Sequence, residues 1–258
     1  VQIACFRAIR HLTRQFEGSN PTWVKRAKSQ SDLAAPSSDD IDESITNEQC
    51  ELVRALAQSP VLAAKARIAV GRSQQLPIAD SSIDLIVTSP PYLTRIDYGI
   101  AYSRELALLD PISGGSRTLR SGLMGTTLIR GGDYRPLRLG VAADSMVDGI
   151  RSHESKDSAG YYLKQAMQYL QDLTRSFDEL SRVARRGAAL DIVVQDSFYK
   201  DVPIPLAQIC VEEASVRGWQ LVELEKHPVT RTLVTMNTAA RAYGKQNVAE
   251  SVITLEKM

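Results

Sequence analysis

Ser89-Pro90-Pro91-Tyr92 directly follows the apolar run Ile83-Asp84-Leu85-Ile86-Val87-Thr88. The run reads as a buried strand. Ending it in two prolines and an aromatic puts a stiff polar turn at the carboxyl edge of a sheet, where open α/β folds keep their ligands. Such a turn suits reaction at an exocyclic amine of a nucleobase. That amine is a poor nucleophile, because its lone pair is delocalised into the ring. Two acceptors that take its hydrogens free the pair and align the nitrogen with an electrophilic methyl group. A serine oxygen and a proline carbonyl are suitable acceptors, and proline locks φ while adding no competing donor. A tyrosine can stack on a base swung out of a duplex. The competing reading is a plain proline turn with Tyr92 packed on the core.

The elements that must hold this turn follow from periodicity. Ala66 to Val70 is a short strand candidate ended by Gly71, and the continuous apolar run 83–88 fits a parallel strand covered on both faces. Residues 98–109 read as a helix. Tyr162, Ala166, Tyr169, Leu170, Leu173, Phe177, Leu180 and Val183 recur at helical spacing, and Arg185-Arg186-Gly187 is the expected end of that helix. Ala188 to Val194 is a further strand, followed by Gln195-Asp196-Ser197. Pro205 opens a helix to about Val216. Gln220 to Lys226 and Glu250 to Glu256 complete the strands. The order from residue 66 is that of an α/β fold, its last two strands pairing antiparallel.

Before residue 66 the pattern differs. Residues 1–16 read as an amphipathic helix with a basic stripe, Arg7, Arg10 and Arg14, which is either a solvated face or a phosphate contact. Residues 29–46 look like an exposed polar linker, and Asn47 to Ala57 like a short helix capped by Asn47. Residues 111–155 hold many glycines and six arginines with little apolar periodicity, which reads as an insertion. The division expected is a helical segment with linker over 1–65 and a catalytic domain over 66–258, the insertion being a candidate target-recognition region.

The net charge of +1 confines any nucleic-acid surface to a local patch. Scattered cysteines (Cys5, Cys50, Cys210) and histidines lack metal spacing, so no metal is expected, and the thiols fit a cytoplasmic protein. No stretch approaches the roughly 18 apolar residues of a membrane span.

The run Gly71-Arg72-Ser73 to Leu76-Pro77, Asp80 to Asp84 and then Leu85 through Tyr92 resembles the amino-methyltransferases that modify DNA. Serine before Pro-Pro resembles the cytosine-N4 branch, and Leu93-Thr94-Arg95-Ile96-Asp97-Tyr98 and Arg104-Glu105-Leu106 look like the same group. The resemblance covers about residues 66–258. It implies a Rossmann-like methyltransferase sheet, mostly parallel with an antiparallel last strand, and S-adenosylmethionine as cofactor. It implies that Ser89 and Pro90 hold the target amine, Pro91 fixes the turn and Tyr92 stacks on the base. Asp97, Tyr98 and Glu105 would line the same pocket, or Glu105 would only cap or pair locally. Arg117, Arg120, Arg130, Arg135 and Arg138 would contact DNA, or sit in a solvated loop. Gly71, Arg72, Ser73 and Asp196 are the candidates on the cofactor side. The relatives' Gly-rich cofactor loop has no counterpart here, and Arg72 stands where relatives often have Asp, with Ser73 as a substitute. Ser-Pro-Pro-Tyr follows what would be the fourth strand, 66–70 would be the third, and the first two have no place in 1–65. The cofactor half is therefore expected before Val1 in a longer gene or on a separate chain. The function expected is methyl transfer to an exocyclic amine of a DNA base, cytosine N4 first, with adenine N6 or an RNA base as alternatives. The reading from another class is a cofactor-less nucleic-acid-binding relic or specificity partner.

Overall fold

The four apolar runs from residue 83 onward all become strands: β1 (Ile83–Thr88), β2 (Ala184–Gln195), β5 (Trp219–Pro228) and β6 (Ala249–Lys257), with a small ladder of β3 (Ser197–Tyr199) and β4 (Val202–Ile204) between them. The structure is a computed structural model. It describes residues 1–18, 24–25, 27–31, 35–60, 65–93, 97–113, 116–131, 140–229 and 248–258, with 109–113 and 116 as backbone only. The large sheet has the order β1-β2-β6-β5. β1 and β2 are parallel, and β6 runs antiparallel to both β2 and β5. Three strands thus share a direction and the last is reversed, the α/β, Rossmann-like sheet expected from the sequence. Among the described residues no strand precedes Ile83.

The helices are α1 (Gln2–Leu12), α2 (Ser38–Gln58), α3 (Tyr98–Ala101), α4 (Ser103–Ser113), α5 (Ser116–Ser121), α6 (Val141–Ser152), α7 (Leu163–Val183) and α8 (Leu206–Ser215). A 3₁₀ turn at Arg14–Phe16 follows α1, and a π turn at Ser158–Tyr162 leads into α7. None of the described helices is long and apolar enough to cross a membrane. The chain divides into two compact units, Val1–Ala69 with Asp97–Gly122, and Val70–Ile96 with Leu123–Met258.

In the second unit, alternate residues of β2 (Ala188, Leu190, Ile192, Val194) and of β6 (Ile253, Leu255) face a core filled from α6 (Met146, Val147, Ile150), α7 (Leu170, Leu173, Phe177) and α8 (Ile209, Cys210). The period-2 alternation of strands and the helical period of α7 meet in one apolar layer. In the first unit α1 packs on α2 and α4. Among its described residues the buried apolar side chains are small, Ala4, Ala8 and Ala101.

Several sequence expectations are corrected. Ala66–Val70 is not a strand: Ile68 is 98% and Val70 100% exposed, and among the described residues no neighbouring strand supplies the ladder that a strand needs. The second half of the polar stretch 29–46 is helix, since α2 begins at Ser38. Ser37, not Asn47, caps α2, accepting from the Asp40 amide at 3.1 Å while Asp40 accepts from the Ser37 amide at 3.0 Å, a reciprocal capping box. The 111–155 stretch contains α5 and α6. Arg185-Arg186-Gly187 belongs to β2 rather than to the end of a helix, and Gly187 takes φ +77° where the β1–β2 register shifts. The apolar run of β1 is covered on one face only, since Leu85 is 57% and Val87 70% exposed. Trp23, Thr94, Arg95, Ile96, Arg135 and Arg138 lie outside the described residues.

Candidate functional site

The Ser-Pro-Pro-Tyr corner leaves the carboxyl end of β1 and is tied down from behind. Tyr169, on the buried face of α7, donates its phenol hydrogen to the Pro91 carbonyl at 2.7 Å. Ser197, at the start of β3, reaches the Leu93 carbonyl at 3.4 Å. Burial pushes the Tyr169 phenol well up, so it remains a donor throughout the neutral range. The Tyr92 hydroxyl lies 3.3 Å from Glu250 at the start of β6, and its ring packs partly against the core.

The front of the corner is open. Ser89 is exposed, and among the described residues neither its hydroxyl nor the Pro90 carbonyl has a hydrogen-bond partner. Pro90 and Pro91 supply no amide hydrogens. The corner therefore offers two acceptors, the Ser89 hydroxyl and the Pro90 carbonyl, and two proline nitrogens that cannot donate.

α7 anchors the neighbouring segments through polar groups at helical spacing. Asp172, buried, pairs with Arg130, and Gln168 accepts from the Arg130 amide at 2.9 Å. The Ser176 hydroxyl is 2.9 Å from that of Ser73. Glu179 accepts from the Leu76 amide at 2.7 Å and pairs with Arg182. Hydrogen bonds from Arg182 and then from Leu76 lower the Glu179 pKa to about 2. Sequence reasoning counted Tyr169 only as an apolar helix position and missed Asp172, Ser176 and Glu179. The available signal was the set of polar residues 169, 172, 176 and 179, spaced three and four apart along an amphipathic helix.

The expected cofactor-side residues are engaged elsewhere or exposed. A Cβ on Gly71 would lie 2.7 Å from Pro77 Cδ, so its backbone packs on that ring. Arg72 is exposed, and its carbonyl accepts from the Gln75 amide at 2.9 Å. Ser73 is held by Ser176. Asp196 accepts from the Ala207 amide at 3.0 Å and so caps the start of α8.

Asp97, Tyr98, Glu105, Arg117 and Arg120 belong to the first unit. Asp97 is buried, caps α3 through the Ile100 amide at 3.2 Å and pairs with Arg120 at 2.9 Å. Tyr98 is exposed and stacks on Tyr102 with centroids 6.4 Å apart. Glu105 is fully buried, neither carboxylate oxygen has a hydrogen bond, and its ion-pair partner is Arg10 Nε at 3.5 Å. Arg117 is exposed on α5. Elsewhere in the second unit a cavity of about 490 Å³ opens between α6 (Met146, Gly149) and the β4 segment (Asp201, Val202, Pro203). Ser89 to Tyr92 do not line it.

No protein-family model matches the chain, and no curated protein matches its sequence. Among solved structures it is similar to a Thermus thermophilus protein assigned as a DNA modification methylase. The form complexed with S-adenosyl-L-methionine shows 15% identity over 73% of this chain and 51% of the other, with a TM-score of 0.36. A second structure of that protein gives 16%, 73%, 52% and 0.36. The [4+2]-cyclase SpnF gives 10%, 81%, 61% and 0.33. The chain spans about half the length of the Thermus protein. Similarity this slight carries no argument about this chain, whose reading stands on its own residues.

Proposed function

We propose that the chain supplies the target-base side of an S-adenosylmethionine-dependent methyltransferase acting on an exocyclic amine of a DNA base, cytosine N4 foremost. One observation carries the reading: a diproline corner at the carboxyl end of a parallel strand, pinned from behind and presenting two unpartnered acceptors in front. The Ser89 hydroxyl and the Pro90 carbonyl each accept one amine hydrogen, which localises the nitrogen lone pair and aims it. Pro91 holds the angle and Tyr92 stacks on the base. The cofactor, when bound, supplies the electrophilic methyl group. Gly71, Arg72, Ser73 and Asp196 lie on its side of the site in this reading, and a second segment supplies the remainder of its cradle. Arg117 is exposed and suited to a phosphate. Arg120 and Arg130, paired with buried carboxylates, position the backbone around them. Tyr98 is an exposed aromatic of the first unit, and residues 111–155 remain the proposed target-recognition region of a domain over 66–258. Adenine N6 and an RNA base are the nearest alternative targets.

The test is transfer of tritiated methyl groups to DNA with the cofactor-binding segment supplied. Ser89→Ala is expected to depress transfer while leaving DNA binding nearly unchanged. Tyr92→Ala is expected to lose stacking worth roughly 1–3 kcal/mol. Transfer that is indifferent to both substitutions would place the pocket elsewhere. DNA binding with no transfer under any condition would favour the relic.

A further inference from the structure

Among the described residues, side chains of α6, α7 and α8 fill the core on one face of the sheet, and the side chains of the other face lie outside that core. Side chains directly opposite in a ladder point to the same face, so the register fixes who shares the second face. Leu85 lies opposite Ala189, and Val87 opposite Asp191. Asp191 and Val193 of β2 lie opposite Thr254 and Val252 of β6, and these lie opposite Glu223 and Glu225 of β5. Ala189 lies opposite Glu256. The hydrogen bond from Thr254 to Asp191, 2.8 Å, confirms the shared side. None of Leu85, Val87, Ala189, Val193 or Val252 belongs to the buried core.

This face has a definite pattern. Over β1 and β2 it is apolar apart from Asp191, which accepts from Thr254, and Leu85 and Val87 are more than half exposed. Towards β6 and β5 it turns acidic, with Glu223, Glu225 and Glu256 all exposed. β1 and β2 are parallel, and parallel pairs are covered on both faces, by helices. β1 is also the end strand, so nothing in the sheet obstructs approach from its outer side.

We propose that this second face of β1 and β2 docks an amphipathic helix of a partner polypeptide, apolar towards Leu85, Val87 and Val193 and lined with Lys or Arg on the flank facing Glu223, Glu225 and Glu256. Charge complementarity selects this occupant. A second copy would bring an equally acidic face, and nucleic acid would bring phosphates to carboxylates. The inference rests on the sheet alone and is independent of the methyl-transfer reading. Under that reading the same helix belongs to the segment that holds the cofactor.

The test uses two fluorescent, hydrocarbon-stapled helices with one leucine face, flanked by lysine in one and by glutamate in the other. Anisotropy is measured on the full chain at low salt. The lysine helix is expected to bind roughly tenfold or more tighter than the glutamate helix. Leu85→Glu with Val87→Glu should weaken it by roughly tenfold. Val216→Glu, which alters another exposed valine at the end of α8, should leave it unchanged. Glu223→Lys with Glu225→Lys should reverse the preference while leaving β1 intact. Equal binding of the two helices, or binding indifferent to the Leu85/Val87 pair, overturns the proposal. So does a dimer in sedimentation that those two substitutions dissolve, because the face would then belong to a second copy.

Discussion

Tyr169 shows how a single residue can serve both packing and positioning. Its ring belongs to the core, and its phenol reaches the Pro91 carbonyl. Tyr169→Phe keeps the ring and removes the donor, leaving a half-buried carbonyl without its partner. The expected cost is about 1–3 kcal/mol in chemical denaturation. If the corner works as proposed, methyl transfer should fall further than stability alone explains, with KM for DNA little changed. A variant with unchanged stability and unchanged transfer would show that the bond is incidental. Glu105 sets a second test. Its fully buried carboxylate faces Arg10, so Arg10→Ala leaves a charge without its partner, whereas Glu105→Gln removes the charge itself. Arg10→Ala should therefore lower Tm more than Glu105→Gln does. Adding Glu105→Gln to Arg10→Ala should recover part of the loss, and a strictly additive double variant would refute the coupling.

At the scale of elements, α7 organises the second unit, holding the corner, Arg130 and the 71–76 loop from Tyr169, Asp172, Ser176 and Glu179. The Glu179 contact has a pH signature. Its folded pKa of about 2 lies below the ordinary value of 4.5, so its contribution is present above pH 4.5 and is lost as pH falls towards 2. Glu179→Gln should therefore differ from the parent by a constant stability gap above about pH 5, one that closes in acid. A gap that persists at pH 2 would mean that the residue acts by shape alone. Strands β1, β2, β5 and β6 and helix α7 were legible because each carries a long periodic run with its own local signal. Residues 66–70 misled because their apolar composition suits a strand, while strand formation needs a neighbour that no local pattern reveals. α6 went unread because Gly149 and Asp148 break its apolar periodicity. Its buried side chains, Met146, Val147 and Ile150, become evident only against the rest of the core. At the corner itself the residue types were legible. The hydrogen bonds that pin it from behind and leave Ser89 and Pro90 open were not, because they come from residues 78 and 104 positions away.

For the whole molecule, the two units differ in what holds them together. The second buries a continuous layer of Leu, Ile, Val, Phe and Tyr side chains. Among the described residues the first buries Ala4, Ala8 and Ala101 together with Asp97 and Glu105, and α2 has no fully buried residue. Small side chains remove little apolar area from water, so the described residues of the first unit supply a weaker driving force than the layer of the second. The cysteines divide between the units in a way that makes this measurable. Cys5 on α1 is half-buried and Cys50 on α2 is exposed, whereas Cys210 on α8 is buried and its thiol pKa is pushed up by desolvation. A thiol reagent should label Cys50 at once in the native protein. Cys5 should become reactive at a lower denaturant concentration than Cys210, and Cys210 only when the sheet's core opens. If Cys5 and Cys210 instead became reactive together at one midpoint, the units would be opening as one cooperative body, and the small core of the first would have to be stabilised by the second.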